Sequence, residues 1–454
     1  MNNGILHNAS TYQMAFQATD ITSVAMKNAI KDWFWLYYLQ EPTKDEDPCQ
    51  QIPYTIVRKL TKTTFSEYSA TSKDTFAAQV LTALGKKRDE AMQLALIGGE
   101  ALLKPVPTKK GFRFNVIKRI NVLVFGRDDE GTPTDIGTVE TTVRDKFYYN
   151  LLERRTVDQN GYLTIKNTLY QSYNESDLGQ PVALSTLPQY ADLPNVYTFQ
   201  KPIGSIGLVS IRSPIENCVD GTEDAVSVYA AAAGLIQNIN RNEAQLNGEF
   251  ERGKSKIIAS ADMFKKDKQG RSVIQDDVFV GLDDDQETVG ITIFSPELRE
   301  KSFLARKQEY LRNVESVIGL KRGLLSEVEA VERTAKEITS SEGDYSLTIG
   351  DFQQMWESAV NEALRLCGVL GQLYRIPGAH EITEDQVVIS WGNGVLFDEE
   401  KTRQRMLGEV QANLLQPERY LGFVYKLPCD TAAQRARIRK DYMPEVADEP
   451  EEDE

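Results

Sequence analysis

Eight consecutive residues, Gly248-Glu-Phe-Glu-Arg-Gly253-Lys254-Ser255, match the G-x-x-x-x-G-K-[ST] spacing letter for letter. In that pattern a glycine-rich backbone cradles phosphates, the lysine reaches the terminal phosphates and the hydroxyl meets Mg²⁺, so the chemistry would be nucleotide binding and hydrolysis. A second cluster, Asp283-Asp284-Asp285, offers three carboxylates that could hold Mg²⁺ or Ca²⁺ through oxygen. Basic side chains form a third set: Arg299, Lys301, Arg306, Lys307 and Arg312 fall in one helical pattern, and Lys321 and Arg322 follow between two glycines.

The elements expected around these residues decide among the chemistries. A phosphate loop follows a buried strand and opens a helix whose N-terminus faces the anion. Here the predicted order is reversed, with a helix before and a strand after, and Glu249 and Glu251 would set two negative charges where bare backbone N–H groups are needed. The three aspartates lie in a turn-like context, where neighbouring carboxylates need not converge on one ion, and we read them as a solvated loop. Histidine is limited to His7 and His380, and Cys49, Cys218, Cys367 and Cys429 form no C-x-x-C pair. No catalytic set, cofactor site or zinc site is nominated by spacing, and the cysteines read as free thiols in a reducing compartment.

The helix ahead of the glycine-lysine pattern is predicted to start after Pro214 and Gly221, with Thr222 as N-cap and Glu223 and Asp224 at the positive end of its dipole. Val228, Ala232, Leu235, Ile239 and Leu246 give it an apolar stripe as far as Gly248. Short strands follow at Lys256-Ile-Ile-Ala and Val278-Phe-Val, and Gly290-Ile-Thr-Ile-Phe closes the excursion. Ser295-Pro296 opens a second helix through Phe303, Leu304, Tyr310, Leu311 and Val314 to Ile318-Gly319. A chain that leaves along one helix and returns along another builds a projecting stalk with a small β piece at its far end.

Upstream, to about residue 219, the pattern is α+β. Helical periodicity covers Thr19 to Leu39 and Lys73 to Ile97, and strands are predicted at Phe112 to Ile117, Phe147 to Arg154 and Tyr162 to Ser172. Asp158-Gln-Asn-Gly161 makes the last two a hairpin. Trp33-Phe-Trp-Leu-Tyr-Tyr38 points around a whole helix, which favours packing over a stacking platform for bases. Downstream, Gly319 to Ser326 is a break, a helix resumes near Glu327, and Phe352, Met355, Trp356, Val360, Leu364 and Cys367 mark an amphipathic helix. Val387-Val-Ile-Ser-Trp391 reads as a strand returning to the main sheet. Charged helices follow at Glu399 to Leu414, Pro417 to Tyr425 and Thr431 to Tyr442, ahead of an acidic run that reads as a solvated tail.

The chain has 454 residues, enough for more than one domain, with 41% hydrophobic and 26% charged residues as in ordinary globular proteins. No stretch approaches the roughly twenty apolar residues of a membrane span. The balance of 67 acidic against 52 basic residues, a net charge of -15, opposes tight DNA binding over the whole surface. It suits either a lining along which a duplex slides without sticking, or plain solubility.

Several stretches, in order, resemble the portal proteins of tailed bacteriophages, particularly the SPP1-type portal family. They are Ala95-Leu-Ile-Gly-Gly-Glu-Ala-Leu-Leu-Lys-Pro105, Tyr148-Tyr-Asn-Leu-Leu-Glu-Arg-Arg155, Gly161-Tyr-Leu-Thr-Ile-Lys-Asn-Thr-Leu-Tyr170 and Gly248-Glu-Phe-Glu-Arg-Gly-Lys-Ser-Lys-Ile-Ile258. Phe294-Ser-Pro-Glu-Leu-Arg299, Tyr310-Leu-Arg-Asn-Val-Glu-Ser-Val-Ile-Gly-Leu320 and Glu332-Arg-Thr-Ala-Lys-Glu-Ile338 complete the series. One departure is Thr334-Ala-Lys-Glu-Ile338, where the family usually reads Thr-Ala-Thr-Glu-Val.

The resemblance implies a multidomain α+β subunit: a wing at 1–219, a first stem helix at 220–253, a small α/β clip at 254–294 and a second stem helix at 295–317. A tunnel-loop region at 318–333, a long helix and return to the wing at 334–394, a short helical crown at 395–447 and the acidic tail at 448–454 follow. It implies a dodecameric ring at one capsid vertex, passing double-stranded DNA during packaging and ejection, with virion localisation after assembly in the host cytoplasm. The implied partners are the terminase, which would hydrolyse ATP, the head completion or adaptor proteins, the major capsid protein and a scaffold, with no membrane. Lys321 and Arg322 would touch phosphates in the channel, or else complement a helix C-terminus. Arg299, Lys301, Arg306, Lys307 and Arg312 would divide between acids of a neighbouring copy and DNA.

Overall fold

The computed structural model describes residues 4–38, 48–252, 256–258, 265–266, 272–273, 292–294, 298–327, 335–383, 386–391, 399–425, 427–429 and 431–443. They divide into two compact units, one of Met1–Thr64 with Ala70–Ile389 and a smaller one of Phe65–Ser69 with Ser390–Glu454.

The first unit opens with α1 (Ala9–Phe16), α2 (Val24–Tyr37) and α3 (Ile52–Thr64). The predicted helix over Thr19 to Leu39 starts later, because Ser23 takes extended dihedrals and its hydroxyl accepts from Met26 N at 3.1 Å, capping α2. Trp33 and Phe34 are buried while Trp35 turns outward, so the aromatic run is largely packing. After β1 (Ser69–Ser72), the periodicity over Lys73 to Ile97 resolves into α4 (Thr75–Gly85), capped by Asp74, and α5 (Arg88–Gly98).

A run of strands follows: β2 (Glu100–Thr108), β3 (Gly111–Lys118), β4 (Val122–Arg127), β5 (Pro133–Arg144), β6 (Phe147–Val157), β7 (Leu163–Ser172), β8 (Gln180–Val182), β9 (Val196–Thr198) and β10 (Val209–Arg212). They form a three-stranded sheet in the order β10-β2-β3 and a six-stranded sheet in the order β4-β5-β6-β7-β8, with β9 also on β7. The predicted β6–β7 hairpin is present: Asp158 Oδ1 accepts from Asn160 N and Tyr162 N, and Gly161 supplies φ 81°. Leu102 and Ile117 of the small sheet pack with Val122, Val124 and Ile136 of the large one into a shared core. Each such side chain contributes about 1.5–3 kcal/mol when fully buried.

The larger sheet also buries charge. Glu153 accepts from Lys104 Nζ at 2.8 Å and from Arg155 Nε at 2.6 Å, and Lys104 also reaches Glu140 at 2.6 Å. Burial pushes the Glu153 carboxyl up, but Arg155 and Lys104 outweigh it and hold it down to about 2.

The segment expected to start the first stem helix at Thr222 does not do so. Asp224, predicted to sit on the helix dipole, instead lies 2.7 Å from Arg127 Nη2 and 3.4 Å from Arg119 Nη2. Ser227 Oγ and Val228 N both donate to Leu96 O at 3.0 Å, and Tyr229 Oη donates to Trp33 O at 2.8 Å. With its donors spent on the body, this stretch runs irregularly, Val228 and Ala232 are buried outside the helix, and α6 (Ala233–Arg252) begins only afterwards. Gly99 makes room for it: at φ 82° a Cβ there would stand 2.3 Å from Ala225 O.

Beyond α6 lie β11 (Lys256–Ile258), β12 (Lys265–Lys266), β13 (Ser272–Val273) and β14 (Thr292–Phe294). β11 pairs antiparallel with β14, from Lys256 opposite Phe294 to Ile258 opposite Thr292, and β12 pairs with β13. The predicted strand Val278 to Val280, the aspartates Asp283 to Asp285 and the opening Ser295-Pro296 lie outside the described residues. α7 (Glu300–Ile318) leads back, and α8 (Ala335–Leu373) buries Phe352, Trp356, Val360, Leu364 and Cys367. Burial raises the Cys367 thiol far above its ordinary value, leaving it protonated.

The strand expected to rejoin the main sheet does not. β15 (Val387–Ser390) pairs with β1 as a two-stranded sheet of its own. It has no fully buried residue and so nothing to place in the larger core.

The second unit carries α9 (Glu399–Gln411), α10 (Pro417–Val424) and α11 (Ala432–Tyr442). Thr431 and Gln434 cap α11 reciprocally, and Arg439 of α11 pairs with the buried Glu418 of α10. Trp391 packs on Tyr68 and Phe65 with ring centroids 4.7 and 6.1 Å away.

Candidate functional site

The stretch that carries most of the sequence-nominated side chains is the pair α6 and α7. Ile236, Ile239 and Leu246 on α6 and Leu311, Val314 and Ile318 on α7 are buried, as an amphipathic pair requires. Asn242 donates to Phe303 O at 3.1 Å, and Glu243 meets Lys307 while Glu249 meets Arg299, so between these two ion pairs the numbers rise on one arm of the hairpin as they fall on the other. The helices are antiparallel.

The five basic residues nominated here, Arg299 at the N-cap of α7 and the other four within it, do different things. Arg299 forms a two-pronged bond to Glu249, Nε to Oε1 at 3.0 Å and Nη2 to Oε2 at 2.8 Å. Lys307 donates to Glu243 at 2.8 Å and to Gln50 at 3.0 Å. These two cations are matched by acids of their own chain. Arg306 lies over the Tyr310 ring at 4.5 Å, Lys301 is exposed, and Arg312 is half-buried.

On one flank of the pair the two helices enclose an open groove of about 600 Å³. Arg241 of α6, Arg299 at the N-cap of α7 and Arg306 within α7 line it, beside the rings of Phe303 and Tyr310. Arg241 was not among the residues nominated from sequence. Its signal was present: it lies three residues after Asn238 and four before Gln245, on the polar face of the same helix.

The loop holding Lys321 and Arg322 starts where Gly319 takes φ 76° at the end of α7. Both side chains are exposed. What organises the loop is Glu315, a buried carboxylate on the apolar face of α7. Its Oε1 accepts from the backbone N–H groups of Gly323 (3.1 Å), Leu325 (2.5 Å) and Ser326 (2.9 Å), and its Oε2 from Ser326 Oγ at 2.7 Å. Gln308 Oε1 accepts from Glu327 N at 2.9 Å, and Lys59 Nζ donates to Leu324 O. Sequence reasoning passed over Glu315, although an acid between Leu311, Val314 and Ile318 signals a buried partner.

Gly248 to Arg252 close α6 and the next described strand starts at Lys256, so the glycine-lysine pattern has its helix first and its strand second; Lys254 and Ser255 lie outside the described residues. Among the described residues no three His, Cys, Asp or Glu side chains gather as a metal site would need, and no helix is long and apolar enough to cross a membrane.

No family model and no curated protein matches this chain. Among solved structures it is similar to the neck of a native GTA (gene transfer agent) particle computed with C12 symmetry: 13% identity, 92% of this chain and 98% of that chain covered, TM-score 0.49. It is also similar to the neck of an empty GTA particle computed with C6 symmetry, at 14% identity, with the same coverage and a TM-score of 0.45. At this identity and score neither likeness bears on what the chain binds or does.

Proposed function

We propose that this chain is the subunit of a phage-type portal, a ring-shaped conduit for double-stranded DNA at one capsid vertex and a head-to-tail connector. The observation that carries the reading is the antiparallel pair α6 and α7, which leaves the α+β body, meets the β11–β14 pair and returns. The ordered series of portal-like segments along the chain supports it. In this reading α6 and α7 are the stem, 254–294 is the clip that docks the terminase and later the adaptor, and 319–326 is the tunnel loop. The net charge of -15 suits a lining that does not hold DNA fast.

Copies of such a subunit associate head to tail and close into a ring, so the same surface meets a different surface on the next copy. Negative-stain microscopy of the purified full chain, with mass from light scattering, tests this. Rings with a central hole and a mass near twelve subunits are expected from the resemblance. A compact monomer that stays monomeric with scaffold and capsid protein present, and that binds ATP, would replace this reading with that of an enzyme.

A further inference from the structure

We infer that a small cavity beside the turn Ile5–Asn8 is a binding site for a primary alkylammonium group, with Glu175, Asn121, Tyr12 and His7 accepting from the ammonium and Ile5 and Val139 packing on its aliphatic stem. This goes beyond the conduit reading and does not rest on it.

The cavity, of about 160 Å³, has room for about five waters or one short alkyl amine. The turn Ile5–Asn8, α1, β5, the turn Arg119–Asn121 and the loop after β7 wall it, and Asn8 ties the first to the last by donating to Ser176 O at 2.7 Å. Ile5 and Val139, both buried, give it an apolar wall. Its polar groups are uncommitted: among the described residues the His7 ring nitrogens, the Tyr12 hydroxyl and the Asn121 amide have no hydrogen-bond partner, although Tyr12 is buried. Buried polar side chains ordinarily find partners within the fold. Three without one around a single cavity are a set that a ligand completes.

The charges around the cavity select the sign of the ligand. No Lys or Arg lines it, while Glu175 does. Burial, and then the nearby Asp177, push the Tyr12 hydroxyl up to about 12, so it stays neutral. Burial, and then Lys31 of α2, hold His7 below its ordinary 6.5, so at neutral pH its ring is uncharged and offers a lone pair. His7, Tyr12 and Glu175 in the lining, with Lys31 and Asp177 behind them, are the titratable groups that act on the cavity. An anion would meet the Glu175 carboxylate with no cation in the lining to offset it. An ammonium brings three N–H donors to these acceptors, and its stem takes the apolar wall.

The test is calorimetry of the full-length protein titrated with butylamine hydrochloride at fixed ionic strength, and with butanol as the uncharged counterpart. Saturable binding of the amine and none of the alcohol is expected. Glu175→Gln should weaken the amine by about tenfold or more, through loss of a charge-assisted bond. Tyr12→Phe should weaken it by a few-fold without lowering the melting temperature, because the hydroxyl bonds nothing within the fold. Affinity should be level above pH 6.5 and decline below it, as a charged His7 repels the ammonium, and His7→Gln should reduce that decline. A lysine amide with its α-amine blocked separates two sources of the same group. If it competes with butylamine, the cavity takes a lysine side chain of another polypeptide; if butylamine alone binds, it takes a free amine. Absence of saturable butylamine binding, equal binding of butanol, or displacement by Na⁺ at matched ionic strength would overturn the proposal. Affinity unchanged in both Glu175→Gln and Tyr12→Phe would do the same.

Discussion

Glu153 and Arg155 stand two residues apart on β6 and share a hydrogen bond of 2.6 Å, both nearly sealed from solvent. Residues at that spacing project from the same face of a strand, so the strand's own repeat builds the pair. Arg155 turns its other donors to Ile206 O and Gly207 O, at 2.9 and 3.0 Å, tying the loop before β10 to the sheet.

The pair makes stability depend on pH with a definite sign. Glu153 is held at about 2 in the folded chain against an ordinary 4.5, so its contribution is complete above 4.5 and is lost as pH falls towards 2. Glu153→Gln should cost about 3–5 kcal/mol at neutral pH, because it leaves buried cations short of a partner. It should also flatten the acid limb of the stability curve in that window. Denaturant titrations of both proteins from neutral to acid pH check this, and parallel curves would mean that the pair carries no linkage.

Glu315 should matter to the loop after α7 more than either basic residue that the loop displays. Glu315→Ala removes the acceptor of three backbone N–H groups and one hydroxyl, with an expected cost of about 1–3 kcal/mol for donors left unpaired. Hydrogen exchange at Gly323, Leu325 and Ser326 should accelerate together in the variant. Unchanged protection at those three amides would show that the loop is held by other contacts.

Two glycines should respond to alanine in opposite directions. Gly99→Ala forces a Cβ against the Ala225 carbonyl at φ 82° and should destabilise by roughly 1–3 kcal/mol or more. Gly350→Ala lies within α8 with open space around the new methyl and should stabilise by about 0.5–1 kcal/mol. Thermal melts of the two variants beside the parent decide both.

The glycine-lysine pattern should bind no nucleotide. Lys254→Ala and the unmodified protein are expected to give equally flat titrations with a fluorescent ATP analogue. Saturable binding abolished by the substitution would restore the enzyme reading.

The parts of this fold that were legible in sequence are those whose local rules agree with their surroundings. The Asp158–Gly161 hairpin, the body of α7 and the span of α11 each follow from turn chemistry or local composition and periodicity within a few residues. The start of α6 was misread because Thr222, Glu223 and Asp224 satisfy helix-start rules, while Arg119 and Arg127, about a hundred positions earlier, claim the Asp224 carboxylate. The ion pairs of Arg299 and Lys307 were likewise hidden, since their partners Glu249 and Glu243 lie across the helix pair. Lys321 and Arg322 were visible as charges, but the carboxylate that shapes their loop was not, because its partners are backbone amides with no letter in the sequence.

The anchoring of residues 224–229 has a mechanical consequence. Force applied along α6 meets, at its first turn, a segment bonded to α5 through Leu96, to α2 through Trp33 and to β4 through Arg127. A pull on the helix is therefore shared among three elements in parallel, and they must yield together before its root can come free.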